Sequence, residues 1–349
     1  ESAGTGSQFE IEVADAGEPI GLDFRGNLVQ GSLQLQLVNA DGETTWEIAV
    51  TSAGPFAVNT VVKPDEAGDY DLVLSWPEAV QASYNLRWQP GAIDVPTISP
   101  LALIPGIGMI AVAVGYVVYT AVRRLGWGYL GLGAASWLIS VILKFVWAIP
   151  ANAPVYEALT GALPETGAEI LFYVYVGLLT GVFEVALVWL ALKNTKYGRA
   201  PWQRALSFGL GFGAMEALLL GGSALANAVL GMTSPEALPL AALEQLALAN
   251  NALYGLAPVS ERFFTVLVHA LTNVLLFYGI AREEPRSFWI AFAYKSGIDV
   301  VAAFAQFWGI GTVGRIWLIE GIVALWGVAG WWGIRRVAAA YPSDEAFAE

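Results

Sequence analysis

The chain contains no cysteine and a single histidine, His269. Without thiols, no disulfide framework can staple a small fold. A zinc site takes three or four ligands, usually with several His or Cys among them, so this composition argues against a conventional zinc centre. No phosphate-binding loop, dinucleotide fingerprint, haem-attachment cysteine motif or long basic run occurs either. That leaves nucleotide and nucleic-acid binding without support. Beyond Pro100, charge itself becomes scarce. Residues 1–100 hold 15 of the 30 Asp and Glu and 3 of the 17 Lys and Arg, which leaves 15 acids and 14 bases for residues 101–349. Nearly all of the formal net charge of −13 therefore belongs to the first hundred residues.

Apolar sequence takes the place of charge beyond Pro100. Runs at 101–122, 126–149, 168–192, 205–230, 258–280, 287–309 and 315–334 are each about the 20 residues that cross a hydrocarbon core roughly 30 Å thick. They predict an all-α polytopic membrane domain of about seven transmembrane helices over residues 101–337, with a tail at 338–349. The lipid bilayer is thus the first expected partner and the cell membrane the expected location. Basic residues cluster at alternate ends of the runs: Arg123 and Arg124; Lys193, Lys196, Arg199 and Arg204; Arg282 and Arg286; Arg335 and Arg336. The intervening segments 150–167 and 231–257 have no Lys or Arg and carry Glu157, Glu165, Glu236 and Glu244. The positive-inside rule then predicts an extracytoplasmic amino-terminal domain and a cytoplasmic carboxyl tail. The chain opens at Glu1 without an initiator methionine. Export of the first domain would imply a signal peptide cleaved before Glu1; an edited start is the alternative.

Residues 1–88 alternate at period two in Phe9-Ile11-Val13, Leu33-Leu35-Leu37, Trp46-Ile48-Val50, Tyr70-Leu72-Leu74-Trp76 and Tyr84-Leu86-Trp88. Such patterning marks half-buried strands, and Asp41-Gly42 is a hairpin signal. A small all-β sandwich is expected. The stretch Ala67 to Leu74 resembles bacterial extracellular jelly-roll or immunoglobulin-like modules. Asp65, Glu66, Asp69 and Asp71 offer oxygen ligands suited to calcium, but without EF-hand spacing they read as a solvated acidic turn. Residues 89–100, with Pro90, Pro96 and Pro100, read as a short stiff linker.

Ionisable side chains deep in a bilayer cost roughly 2.5–3.5 kcal/mol on insertion scales, so those within the runs are functional candidates. They are Lys144, Glu184, Glu216, His269, Lys295 and Asp299, with Asn273 as a polar neighbour and Glu261 and Arg262 near one end of the fifth run. Helical rise places Glu216, His269 and Asp299 near mid-membrane, Glu184 nearer the inner face and Lys144 nearer the outer face. His269 and Asn273 share a helix face, as do Lys295 and Asp299, which can pair within one helix. Mutual neutralisation between helices, Lys144 or Lys295 against Glu184, Glu216 or Asp299, competes with a buried catalytic or binding cavity. Gly177-x-x-x-Gly181 and Gly209-x-x-x-Gly213 permit close helix approach. Trp127, Trp147, Trp308, Trp317, Trp331 and Trp332 sit near run ends as an interfacial belt.

Three stretches occur in order: Gly181 to Glu184, Ala205 to Ala217, and Glu261-Arg262 through His269 to Asn273. On these the chain resembles, over roughly residues 101–337, the YhfC family of intramembrane proteases, related to the CAAX-protease and bacteriocin-processing group. The resemblance implies a Glu-activated water attacking a peptide bond within the membrane, assisted by His and a metal. Glu184 matches the first residue of the family's Glu-Glu pair, but Val185 stands at the second and Trp189 where Arg is expected. Phe212 replaces the histidine of the second motif, while Glu216, His269 and Asn273 are kept. With no metal or other cofactor implied by what remains, the expected function is non-catalytic: a membrane scaffold, a binder of transmembrane segments, or a subunit joined to other membrane proteins. Glu216, His269 and Asn273 would then persist as a hydrogen-bonded cluster between two spans, with Glu216→Gln milder than His269→Ala. An active protease using Glu184, Glu216, His269 and Asn273 is the alternative. A transporter is the third reading, weakened by the lack of an evident inverted repeat.

Overall fold

In the computed structural model the described residues are 4–76, 79–309, 311–343 and 347. Glu1, before which a signal peptide is expected to end, lies outside them, as do residues 344–346, 348 and 349 of the expected tail. The chain forms two compact units. One comprises residues up to Ala102 together with Ala226–Asn251; the other comprises Leu103–Leu225 and the chain from Ala252 onward.

The first unit holds seven strands: β1 (Gly4–Val13), β2 (Ile20–Gln30), β3 (Leu33–Asn39), β4 (Thr44–Val50), β5 (Gly54–Val62), β6 (Gly68–Trp76) and β7 (Gln81–Pro90). They form two antiparallel sheets, ordered β1-β6-β3-β4 and β5-β2-β7. Their inner faces meet in one core, with Ile11, Leu35, Leu37, Leu72 and Leu74 from the larger sheet against Leu22, Phe24 and Leu28 from the smaller. This is the expected all-β sandwich. The Asp41-Gly42 turn forms as its sequence predicts: Gly42 takes φ +83°, and Asn39 Oδ1 accepts from the N–H groups of Asp41 (3.2 Å) and Glu43 (2.8 Å).

Strands β2 and β5 went unread, although both alternate: Ile20, Leu22 and Phe24 with Gly21, Asp23 and Arg25, and Phe56 and Val58 with Ala57 and Asn59. In β2 the polar face is covered as well: the six residues from Ile20 to Arg25 are all buried, although the sequence alternates as a one-sided strand does. The cause is residues 226–251, which the sequence reading left with the membrane domain and which fold here against the β5-β2-β7 sheet. Arg25 forks onto the Asp23 carboxylate and donates Nη1 to the carbonyls of Pro235 (3.2 Å) and Leu238 (3.3 Å). Asn59 Nδ2 donates to Asp23 (3.4 Å) and to the carbonyl of Ile93 (3.1 Å). Counting helices along the whole chain, α6 (Leu240–Leu248) buries Leu240 and Leu243; its Glu244 receives Arg87 of β7 at 2.7 Å. Residues 91–99, read as a linker, lack regular structure. They are nonetheless held: Ile93 is buried, and Asn250 bonds the N–H of Ser99 and the carbonyl of Thr97, both at 2.8 Å.

The second unit is helical: α1 (Leu103–Val122), α2 (Trp127–Ala162), α3 (Glu165–Thr180), a π-helical turn (Gly181–Ala186), α4 (Leu187–Lys193), α5 (Trp202–Thr233), α7 (Ala252–Arg282), α8 (Pro285–Trp308) and α9 (Val313–Ala340). Helix α5 ends within the first unit. Among the described residues, seven segments are long and apolar enough to cross a membrane, the third being α3, the π turn and α4 in succession. The expected seven-span domain is present, and the chain is a multi-pass membrane protein. Helix α2 outruns its apolar run and continues through Pro150 and Pro154; membrane helices tolerate internal proline where neighbours satisfy the freed backbone. In the apolar windows of the fourth and fifth spans, α5 and α7, 67% of residues are buried, against 17–33% in the other five. These two are the central helices. A Cβ on Gly209 would stand 2.7 Å from Ala270 Cα, and one on Gly213 would stand 2.9 Å from Val266 Cα, so the predicted glycine spacing seats α5 directly on α7.

The Arg25–Asp23 pair is about 2% exposed at each residue. Removing one partner of a buried ion pair strands the other charge and costs about 3–5 kcal/mol. Arg25→Ala should destabilise the first unit by that amount and open residues 226–251 to protease. Arg87→Ala, which breaks a half-exposed pair, should cost no more than about 1 kcal/mol. Pulse proteolysis of the solubilised chain across a urea series measures both; equal effects would refute the assignment.

Candidate intramembrane site

Helix α5 brings Glu216, and α7 brings Glu261, Arg262, His269 and Asn273. Because Gly213 lets α5 touch α7 beside His269, whose Cβ would lie 3.3 Å from a Cβ at Gly213, the Glu216 carboxylate three residues on meets the ring. Glu216 Oε2 lies 2.5 Å from His269 Nε2, and Oε1 accepts from Arg262 Nη1 at 2.5 Å. Arg262 Nη2 donates to Glu261. One guanidinium thus holds two carboxylates, and the imidazole takes the remaining oxygen of one of them. An ionised carboxylate only accepts, so His269 Nε2–H donates to Glu216. His269 Nδ1 is buried without a hydrogen-bond partner among the described residues.

The second half of the network joins α2, the π turn and α8. Gly177 and Gly181 press against α8: a Cβ on the first would meet Val300 at 2.4 Å, and one on the second would meet Ser296 Oγ at 2.2 Å. The π turn places Glu184 in the interior, where Lys144 Nζ reaches Oε1 at 2.7 Å and Lys295 Nζ lies 3.4 Å from Oε2. Lys295 also donates to Asp299 at 2.5 Å, as the four-residue spacing predicts. The pairing of Lys144 with Glu184 corrects the placement of these residues at opposite depths. The long α2 and the unbroken third span slide past the ends of their apolar runs, so counting residues from run ends misjudged both. Single-turn π segments inside α-helices recur at functional sites, and no sequence signal announced this one.

Both halves face one small cavity of about 60 Å³, lined by Glu216, Glu261, Arg262, His269, Lys295 and Asp299 among others. Space of that size admits a few waters and no peptide. Asn273 does not join it. Its Nδ2 donates to the carbonyl of His269 one turn back, at 2.9 Å, and its Oδ1 has no partner among the described residues. The expected Glu216–His269–Asn273 cluster is therefore a Glu216–His269–Arg262 cluster, because the four-residue spacing lets the amide serve its own helix backbone. One buried ionisable residue escaped the sequence reading. Glu320 of α9 is 5% exposed, has no ion-pair partner among the described residues, and lies within electrostatic reach of Glu261 and Arg262. It falls inside the seventh apolar run, so the rule that found the others would have found it.

A family model described as YhfC intramembrane metalloprotease matches residues 108–323, more than half of the chain. The chain belongs to the YhfC family. No curated protein matches it. The family's name implies a metal, and the residues do not fit one. His269 is the sole imidazole, and its Nε2 is committed to Glu216. Arg262 occupies both Glu216 and Glu261. The ring of Phe212, where the sequence resemblance expects a histidine, lies 5.1 Å from the His269 ring, and Val185 is buried in the apolar core. Trp189, where the resemblance expects an arginine, packs on Phe288 with ring centroids 5.0 Å apart. No group of three or more His, Cys, Asp or Glu poised to hold a metal ion occurs among the described residues. Four carboxylates (Glu184, Glu216, Glu261 and Asp299) already face three fixed cations (Lys144, Arg262 and Lys295) and one imidazole. A divalent ion would have to displace a cation that a low-dielectric interior holds tightly.

Protein prepared without chelator should therefore carry well under one transition metal per chain by elemental analysis. One zinc per chain, lost in His269→Ala, would overturn this reading of the site.

Proposed function

We propose that this YhfC-family chain is non-catalytic: a membrane scaffold or subunit that holds its β-sandwich on the extracytoplasmic side and engages other transmembrane segments. The observation that carries the reading is the grip of Arg262 on Glu216 and Glu261 while His269 takes the second Glu216 oxygen. A general base must present a free lone pair to a water that can reach a substrate carbonyl. Here both Glu216 oxygens are engaged, and the adjoining cavity has no room for a peptide. One observation favours a hydrolase as the second reading: His269 Nδ1 has no hydrogen-bond partner among the described residues, and a carboxylate-anchored imidazole with an uncommitted nitrogen is the arrangement of a general base. An ion path has less support, because each basic side chain of the network lies against a carboxylate.

The two readings separate by mutation. If the network is structural, His269→Ala should cost about 0.6 kcal/mol and no more than about 1.7, the range for hydrogen bonds between membrane helices. Glu216→Gln should cost more, about 1.5–3 kcal/mol, because it weakens a hydrogen bond to the buried Arg262 cation. This reverses the order expected when Glu216 was thought to face only His269 and Asn273. Complementation of a deletion strain should track protein level in both variants. Normal levels with complete loss of function in both would establish the protease instead.

The orientation rests on the one-sided basic residues, Arg123 and Arg124 through Arg335 and Arg336. Protease added to intact cells should remove residues 1–100 and spare the carboxyl end; a protected β-sandwich would invert the topology.

A further inference from the structure

On a different face of the helical unit, α1, α5, α7 and α9 border an open groove of about 480 Å³, within the usual range of small-molecule sites. Its walls are aromatic and aliphatic, with Tyr119, Trp202, Leu206, Phe264 and Trp331 among them, and one ionisable side chain, Arg335, stands in its lining. Tyr116, also in the wall, spends its hydroxyl on the carbonyl of Phe263 at 3.0 Å. The apolar depth therefore offers little to a polar ligand.

The groove has a direction. Trp202 opens α5, and Arg335 and Ala338 lie in the last turns of α9, at the end of the helices that carries Arg123, Arg124, Arg204 and Arg336. On α9 the lining runs inward from Ala338 to Val328. Those ten residues span about 15 Å at the helical rise, half of a hydrocarbon core roughly 30 Å thick. The groove thus begins where headgroups lie and ends near the middle of the bilayer. At its mouth Arg336 is stacked on Trp332, 4.2 Å from the ring centroid. Arg335 has no hydrogen-bond or ion-pair partner among the described residues, although a guanidinium is built to take a phosphate in a two-pronged hydrogen bond.

We propose that this groove is a specific site for one glycerophospholipid, with an acyl chain along the aromatic wall and the phosphate on Arg335. Length and chemistry favour a lipid over a partner helix. An acyl chain fits a groove about 15 Å long with apolar walls, and a phosphate gives the Arg335 guanidinium at its mouth the partner that an apolar helix face would not. The charge favours a phospholipid over a neutral one, since the single lining cation sits at headgroup depth.

Native mass spectrometry of the full chain in detergent tests this, with dioleoyl phosphatidylglycerol, dioleoyl phosphatidylcholine and dioleoylglycerol as probes. Both phospholipids should add one molecule per chain, at least fivefold more tightly than the diacylglycerol. Arg335→Gln should reduce phosphatidylglycerol to the diacylglycerol level, and Arg335→Lys should restore part of the difference. Val328→Trp fills the inner groove from an exposed position and should weaken all three; Lys196→Gln, at the same membrane end but outside the lining, should change none. Arg335 is exposed, so its variants read out binding even if Val328→Trp fails to fold. Absence of a one-to-one adduct, indifference to Arg335→Gln, or a co-purified polypeptide that blocks lipid addition would each overturn the proposal.

Discussion

The contact on which the membrane unit depends is that between Arg262 of α7 and Glu216 of α5. Lipid tails are as apolar as leucine, so no hydrophobic force drives two membrane helices together. Association must come from close packing and from polar groups that have nowhere else to go. In this chain the two causes act at the same place. Gly209 and Gly213 remove side-chain bulk where α5 crosses α7, and within a turn of that crossing Glu216 meets Arg262 and His269. Neither would suffice alone. The glycines could seat α5 at another register along α7, whereas the ion pair fixes the register. The ion pair without the glycines would leave two charges apart in hydrocarbon.

A comparable clamp works in the first unit under the opposite solvent. The outer face of the β5-β2-β7 sheet should be wet, yet β2 buries Asp23 and Arg25 beneath residues 235–238. Carbonyl oxygens from an irregular segment satisfy the guanidinium, and the guanidinium satisfies them. This matters beyond the sandwich because the segment so held is the connection that leaves α5 and enters α7, the two helices bearing Glu216 and His269. Strain or ligand binding on the β5-β2-β7 face therefore has a covalent route to the central pair, whatever the arrangement of the two units.

Much of this was legible from sequence, and all the failures but one share a physical form. Span number followed from apolar length, the five alternating strands from one-sided burial, and the Lys295–Asp299 pair from helical spacing. What period and length could not reveal was who covers whom. Strand β2 alternates in sequence, but the burial of its polar face, Asp23 and Arg25, could not be read because a segment two hundred residues away shields it. Lys144 and Glu184 were assigned to different depths because α2 runs on through two prolines and the third span passes through a π turn without a break. Asn273 was placed with His269 by shared face, correctly, but its amide found the backbone one turn back before it found the cavity. Glu320 was overlooked for no physical reason, since it met the same criterion as the other intramembrane acids.

The surroundings of the remaining polar residues show what keeps them in place. With Phe212 packed beside His269 and Phe208 beneath it, the α5 side of the site is closed by aromatic rings. A histidine there would have offered a second imidazole to a metal; the ring offers only contact area. A free carboxylate in hydrocarbon is costly. Pairing with Arg262 and His269 removes the cost and stiffens the crossing of the two central helices. The two oxygen atoms of Glu216 that a general base would need free are both engaged by the clamp that stabilises the α5–α7 contact.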